Sequence, residues 1–284
     1  MAEQTTLFRL PSFSEHPGIM GILNVTPDSF YDGGKYKDKE KALQKAREMA
    51  ADGADIIDVG GESTRPDASP VPAQEEIDRV CPVIEAIVKE VPLMISVDTT
   101  KGSVAAAAAA AGAVIINDIS GASFDHAMLD VAASCGCAIV LTHTSGRPDD
   151  MQEKTSYDDL LGDITAFLLE RKDAAIEKGV DAGNIILDPG IGFGKTLDDN
   201  YKIIKNIPEL KKNGSPILIG LSRKSLIGKL YTEDEDRLAA TIALNSIAVY
   251  FGAGIIRVHD VKAHSLAMAA LLKLKEVAAG AVRL

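Results

Sequence analysis

Positive charge is scarce in this sequence. Lys and Arg number 30 against 41 Asp and Glu, for a formal net charge of −11. Duplex nucleic acid is normally met by a basic face, so no nucleic-acid partner is expected. Long hydrophobic runs are also missing. None approaches the ~20 residues that span a bilayer, and no membrane partner is expected. Cysteine is limited to Cys81, Cys135 and Cys137 in 284 residues, which excludes a disulfide framework. Cys135-Gly-Cys137 lacks the C-x-x-C spacing and no histidine stands nearby to complete a zinc set. These thiols read as small packed hydrophobes. Residues 1–13 hold a single basic residue, no long apolar core and no small-residue cleavage pattern. No signal peptide is read there, and the expected location is cytoplasmic.

Several catalytic signatures are absent too. There is no H-E-x-x-H, and no G-x-S-x-G elbow, because Ser222 is followed by Arg223-Lys224. Gly194-Lys195-Thr196 resembles the end of a P-loop, but the position that needs the first glycine is Pro189. The run 190–194 lacks G-x-G-x-x-G spacing. Nucleotide-binding readings are weakened accordingly.

What the sequence does contain is an alternating pattern, with enough apolar residues (46%) to bury a sizeable core. Eight short β-rich apolar runs cover 19–23, 56–59, 93–97, 114–116, 138–141, 185–187, 217–219 and 255–258. They lack strict polar alternation, which predicts strands buried on both faces, as in a parallel sheet. Helical stretches are predicted at 39–52, 75–90, 103–111, 124–134, 157–178, 197–210, 234–251 and 264–278. Pro82 falls inside the second and marks a point for a kink. Eight right-handed βαβ units without an intervening linker predict a (β/α)8 TIM barrel, a single domain over 1–284.

Every predicted strand ends in polar residues. They are Asn24; Asp58 with Glu62, Ser63, Thr64 and Arg65; Asp98; Asn117-Asp118; His143; Asp188; Ser222-Arg223-Lys224-Ser225; and Arg257, His259 and Asp260. In this architecture the carboxyl ends of the strands carry the chemistry. One strand-end Asp is often only a helix cap, but eight polar ends together point to a site. Arg223, Lys224 and Arg257 gather after the last two strands, where such barrels hold phosphate. Asp98, Asn117 and Asp188 would face the centre, and they suit a planar heterocycle with N–H donors and ring acceptors.

Taken in order, these segments resemble the dihydropteroate synthase family. The residues that carry the resemblance are Asn24-Val25-Thr26-Pro27-Asp28-Ser29-Phe30, Asp58-Val59-Gly60-Gly61-Glu62-Ser63-Thr64-Arg65-Pro66 and Ser96-Val97-Asp98-Thr99. Ile116-Asn117-Asp118, Asp188-Pro189-Gly190-Ile191-Gly192-Phe193-Gly194-Lys195, Ser222-Arg223-Lys224-Ser225 and Arg257-Val258-His259-Asp260-Val261 complete the set. The resemblance runs from about residue 18 to about 261. It implies a (β/α)8 barrel, usually a homodimer, that joins p-aminobenzoate to 6-hydroxymethyl-7,8-dihydropterin pyrophosphate with Mg²⁺ on the pyrophosphate. Carried over by motif, Asp98, Asn117, Asp188 and Lys224 would hold the pterin, with Arg257 beside its ring. Asn24, Arg257 and His259 would hold the pyrophosphate, with Asn24 also on the metal. Phe30, Thr64, Arg65, Pro66, Phe193, Lys224 and Ser225 would form the aminobenzoate side.

The chain departs from the family pattern in three places. Asp67 follows Arg65-Pro66 where Gly is usual, Thr142-His143-Thr144-Ser145-Gly146 replaces a Met-His-Met-Gln-Gly-like stretch, and Leu226 stands where Phe is frequent. The second change implies a more polar pocket floor. A methyltetrahydrofolate methyltransferase would share the Asp/Asn/Asp pocket but would not need the basic residues at 222–225 and 257–259. An aldolase-type barrel would need a Schiff-base lysine, and no lysine falls within a predicted strand.

Overall fold

Eight strands form the centre of the computed structural model, which describes residues 8–26, 35–63, 70–228, 230–231 and 233–280. They are β1 Gly18–Asn24, β2 Ile56–Gly60, β3 Met94–Asp98, β4 Ile115–Asp118, β5 Ala138–Thr142, β6 Ile185–Asp188, β7 Leu218–Ile219 and β8 Ile255–Val258. All pairings are parallel, in the order β6-β5-β4-β3-β2-β1-β8-β7. A parallel bridge between Leu187 and Ile217, with the Leu187 N–H on the Pro216 carbonyl at 3.0 Å, joins the two ends into a ring. This is the expected TIM barrel.

The helices among the described residues wrap the outside. They are α1 Lys35–Ala51, α2 Ala73–Glu90, α3 Gly102–Ala110, α4 Met128–Cys135, α5 Leu160–Glu177, α6 Leu197–Lys205, α7 Ile207–Lys211, α8 Ser225–Gly228, α9 Asp234–Phe251 and α10 Val261–Gly280. None is long and apolar enough to cross a membrane.

Three helical expectations change in detail. The stretch 197–210 is two helices, because Pro208 enters the first turn of α7 and cannot donate to the ladder of α6. The helix expected from 124 starts at Met128. Before it, the Asp125 carboxylate is committed to the Gly102 N–H at 2.7 Å and the Ala127 N–H at 2.9 Å. Helix α2 runs through Pro82 unbroken. Pro82 and Asp78 both lie on the exposed face, so the carbonyl that loses its donor is open to water.

Strand alternation sorts the side chains into two layers. Ile57, Val59, Ile95, Val97, Ile116, Ile139, Leu141 and Leu187 face outward against the helices. Met20, Ile56, Ile115, Ala138, Val140, Ile186, Leu218 and Ile255 face inward and fill the amino-terminal half of the barrel, where Leu10 and Phe13 cap them from below. Burying such side chains contributes ~1.5–3 kcal/mol each. The plug is held by Asn184, which accepts from the Leu10 N–H at 2.9 Å and donates to the Phe8 carbonyl at 2.8 Å. With the amino end sealed by apolar residues, the inward positions at the carboxyl end are left for polar ones.

Candidate active site

The same parity that aims Ile56, Ile115, Ile186 and Ile255 into the barrel aims Asp58, Asn117, Asp188 and Arg257 there, two residues further along each strand. Arg257 is the hub. Its Nε donates to Asp58 Oδ2 and its Nη2 to Asp98 Oδ2, both at 2.6 Å. Asn117 Nδ2 reaches the same Asp58 oxygen at 3.0 Å. Burial opposes the Arg257 charge, but the Asp58 and Asp98 carboxylates more than offset it and raise its pKa above the ordinary guanidinium value. Burial pushes the Asp98 carboxyl up to about 7 against the lowering pull of Arg257, and the Asp58 charge adds to the rise. The other Asp58 oxygen, Oδ1, is buried without a protein partner.

On the opposite arc stand Asp188 and Lys224. Asp188 Oδ1 accepts the Gly190 N–H at 2.7 Å. Burial raises the Asp188 pKa, and Lys224 is the main group pulling it back. Burial brings Lys224 down to about 8, with Asp188 holding it up. The Lys224 ammonium donates to the Ile191 carbonyl and lies 4.3 Å from the centre of the Phe193 ring, within cation–π range.

The loop that carries these groups depends on Gly190. Its φ is +72°, and a Cβ there would lie 1.8 Å from the His143 carbonyl oxygen. Beneath the loop, buried Lys195 donates to His143 Nδ1 at 3.0 Å and to the Phe193 carbonyl at 2.9 Å. Burial lowers Lys195 to about 7, and burial together with Lys195 lowers His143 to about 3. His143 therefore carries no charge near neutral pH.

The rim completes the arrangement. His259 Nδ1 and Ser222 Oγ are 2.9 Å apart, and the His259 N–H donates to the same oxygen at 3.2 Å. Burial, then Arg223 and Arg257, lower His259 to about 4. Arg223 is exposed, has φ of 59° and reaches Asp260 at 3.3 Å. Asn24 ends β1 at the exposed mouth. Its Oδ1 lies 3.6 Å from where a Cβ would stand on Gly60, and Asp98 Cβ lies 3.5 Å from that point. Ser225 opens α8 directly after Lys224. Phe30, Thr64, Arg65 and Pro66 lie outside the described residues, as does Asp67. At the stem of that second loop, Lys101 bridges Glu62 and buried Glu76, and Glu62 accepts the Val71 N–H at 2.9 Å.

Asp98, Asn117 and Arg257 are thus tied together, Asp188, Lys224 and Phe193 form a second group, and His259 and Asn24 stand at the rim. Two partnerships escape a motif reading. Asp58 stands at the head of the 58–66 motif, but nothing in the sequence shows it as the anchor of both Arg257 and Asn117. The Lys195–His143 pair joins residues 52 positions apart.

Comparison with known proteins shows the family to which the chain is similar. The family model described as "Pterin binding enzyme" matches residues 20–259. The dihydropteroate synthase of Bacillus subtilis (strain 168) is 51% identical over 252 residues, covering 88% of this chain and 86% of its own length. The structure of Xanthomonas albilineans dihydropteroate synthase with 4-aminobenzoic acid superposes with a TM-score of 0.87 at 41% identity, covering 94% of this chain and 96% of that one. The same synthase in complex with 7,8-dihydropteroate gives a TM-score of 0.84 at 39% identity, with the same two coverages of 94% and 96%.

Proposed function

The chain belongs to the dihydropteroate synthase family of pterin-binding enzymes, and from that premise we propose how its barrel mouth joins 6-hydroxymethyl-7,8-dihydropterin pyrophosphate to p-aminobenzoate, giving 7,8-dihydropteroate and pyrophosphate. One observation carries the reading. Asp98, Asn117 and Asp188 converge at the carboxyl end of the barrel with Arg257 and Lys224 among them, a complete donor and acceptor set for a cationic or electron-poor planar ring.

In this reading Asp98, Asn117 and Asp188 accept from and donate to the pterin edges, Lys224 binds the ring beside Asp188, and Arg257 lies against the heterocycle. Aryl amines are weak nucleophiles, so help to the leaving group matters most. The C–O bond breaks first, and its electron pair goes to the pyrophosphate. Arg257, His259 and Asn24 at the rim stabilise that growing negative charge. The methylene cation left behind is conjugated with the pterin, and Asp98 and Asp188 stabilise it more than they do the neutral ring. That difference is what lowers the barrier. The aminobenzoate nitrogen then forms the C–N bond and releases its proton. Phe193 and Lys224, with Ser225, Phe30, Thr64, Arg65 and Pro66, would form the aminobenzoate side.

Mg²⁺ fits this rim as a companion of the pyrophosphate. Among the described residues no group of three His, Cys, Asp or Glu could hold a metal ion. The Asn24 amide oxygen at the mouth is a hard donor, and Mg²⁺ is commonly held by one or two protein oxygens together with substrate phosphates and water. When bound, the ion would offset charge on the leaving phosphates. A homodimer is proposed as well. Exposed Ile247 and Tyr250 on α9 and Leu266, Leu274 and Val277 on α10 supply apolar surface that a monomer would leave in water.

The test is direct. Purified protein is incubated with both substrates and Mg²⁺, and dihydropteroate and pyrophosphate are measured. Equal amounts of the two are expected. Absence of both products contradicts the proposal.

A further inference from the structure

Thr142 closes β5, and its hydroxyl oxygen is buried without a hydrogen-bond partner in the protein. The residue is 1% exposed. Its direction follows from strand parity. Ala138 and Val140 belong to the inner cluster, whereas Ile139 and Leu141 face the helices. Thr142 therefore points into the barrel, and His143 points out, edge-on to Phe167 at 5.1 Å between ring centres and bonded to Lys195. In register, Thr142 pairs with Asp188 on β6, while Asn117 on β4 pairs with Val140, two residues below Thr142 on the same face of β5. Thr142 thus stands on the inner face of β5, the strand between those that carry Asn117 and Asp188.

A buried hydroxyl with no partner weakens a fold unless something satisfies it, and a hydroxyl can both donate and accept. The strands on either side carry groups assigned above to the pterin edge. We propose that Thr142 is a specificity-determining residue whose hydroxyl hydrogen-bonds the bound pterin between Asn117 and Asp188. This rests on the pterin reading of the site and extends it. The polar character that Thr142 brings to the pocket floor is a binding contact rather than a packing accident.

The experiment compares wild type, Thr142→Val and Thr142→Ser. Valine keeps the shape and removes the hydroxyl, whereas serine keeps the hydroxyl. Affinity for 6-hydroxymethyl-7,8-dihydropterin pyrophosphate is measured by calorimetry, and KM is measured for each substrate. The expected result is pterin affinity weakened roughly fivefold in Thr142→Val, the scale of one neutral hydrogen bond. In the same variant the pterin-pyrophosphate KM rises and the p-aminobenzoate KM is unchanged, and Thr142→Ser stays near wild type. Pterin affinity in Thr142→Val equal to or tighter than wild type overturns the inference, and the hydroxyl then serves a buried water. Should Thr142→Val fail to fold, a crystal structure of the wild-type pterin complex decides. Oγ1 within 3.5 Å of a ring heteroatom supports the contact, and a longer separation refutes it. Wild type that binds no pterin would instead sink the functional reading itself, so the two failures are distinct.

Discussion

Arg257 Nε and Asp58 Oδ2 are 2.6 Å apart, a bond that joins β8 to β2 over the top of the intervening β1. Asp58 is fully buried and Arg257 largely so, and the second guanidinium branch is spent on Asp98. A carboxylate out of water needs a charged partner or a full set of donors. Arg257 thus organises the mouth before any substrate arrives.

Replacing this hub is expected to be costly. In Arg257→Leu the Asp58 and Asp98 carboxylates lose their shared cation, and breaking a buried pair from one side typically costs about 3–5 kcal/mol. Urea denaturation should show a loss of that order, together with loss of turnover. An unchanged midpoint would mean that the three groups are not coupled as the distances imply.

Two glycines of similar backbone conformation should behave differently. Gly190 has φ of +72° and Gly214 has φ of +79°. A Cβ on Gly190 would collide with the His143 carbonyl at 1.8 Å, whereas one on Gly214 meets nothing within 4 Å. Gly214→Ala should cost only the left-handed backbone preference, ~1 kcal/mol. Gly190→Ala must displace the loop that carries Ile191 and Phe193. It should lower Tm much further and weaken pterin binding. Similar Tm values for the two variants would refute this account of the loop.

Lys195 gives a pH signature. It releases its proton at about 7 when folded, well below the ordinary lysine value of 10.5, because burial disfavours the charge. Between those values the unfolded chain binds more protons, so stability rises as pH rises. Lys224, lowered to about 8, acts in the same direction over a narrower window. Lys195→Met should flatten the gain in urea midpoint between pH 7 and about 10. A slope equal to wild type would place the Lys195 proton elsewhere.

Asp98 should couple pterin binding to pH. Its carboxyl sits at about 7 because burial disfavours the charge, above the ordinary aspartate value of 3.8. The sign for stability is opposite to that of Lys195. The contribution is present below pH 3.8 and lost as pH rises through about 7. Ring N–H donors favour the ionised form, so pterin affinity should climb from about pH 6 to about pH 8. Asp98→Asn should abolish that climb, and a climb of the same size in the variant would assign it to another group.

Much of this was legible in the sequence because strand alternation and strand-end position are periodic properties. Asp98, Asn117 and Asp188 could be placed at the mouth from their position directly after an apolar run, and Arg257 from its place near the end of one. Partnerships through space are not periodic. Nothing near Lys195 in sequence points to His143, and nothing around Asp58 points to Arg257, 199 positions away. The plug at 8–13 was also silent. Its hold on the barrel comes from Asn184, more than 170 positions away. The break at Asn206 follows from Pro208, which stands inside the stretch 197–210 and enters the first turn of α7.

The central claim is that the Asp188–Lys224 arc and the Arg257 hub form one pterin-binding catalytic site. The most direct measurement is turnover and pterin binding in Asp188→Ala and Lys224→Ala beside wild type, with circular dichroism to show that each variant folds. The account predicts dihydropteroate formation by wild type, and loss of both turnover and pterin binding in each folded variant. Wild-type turnover in either variant would contradict it.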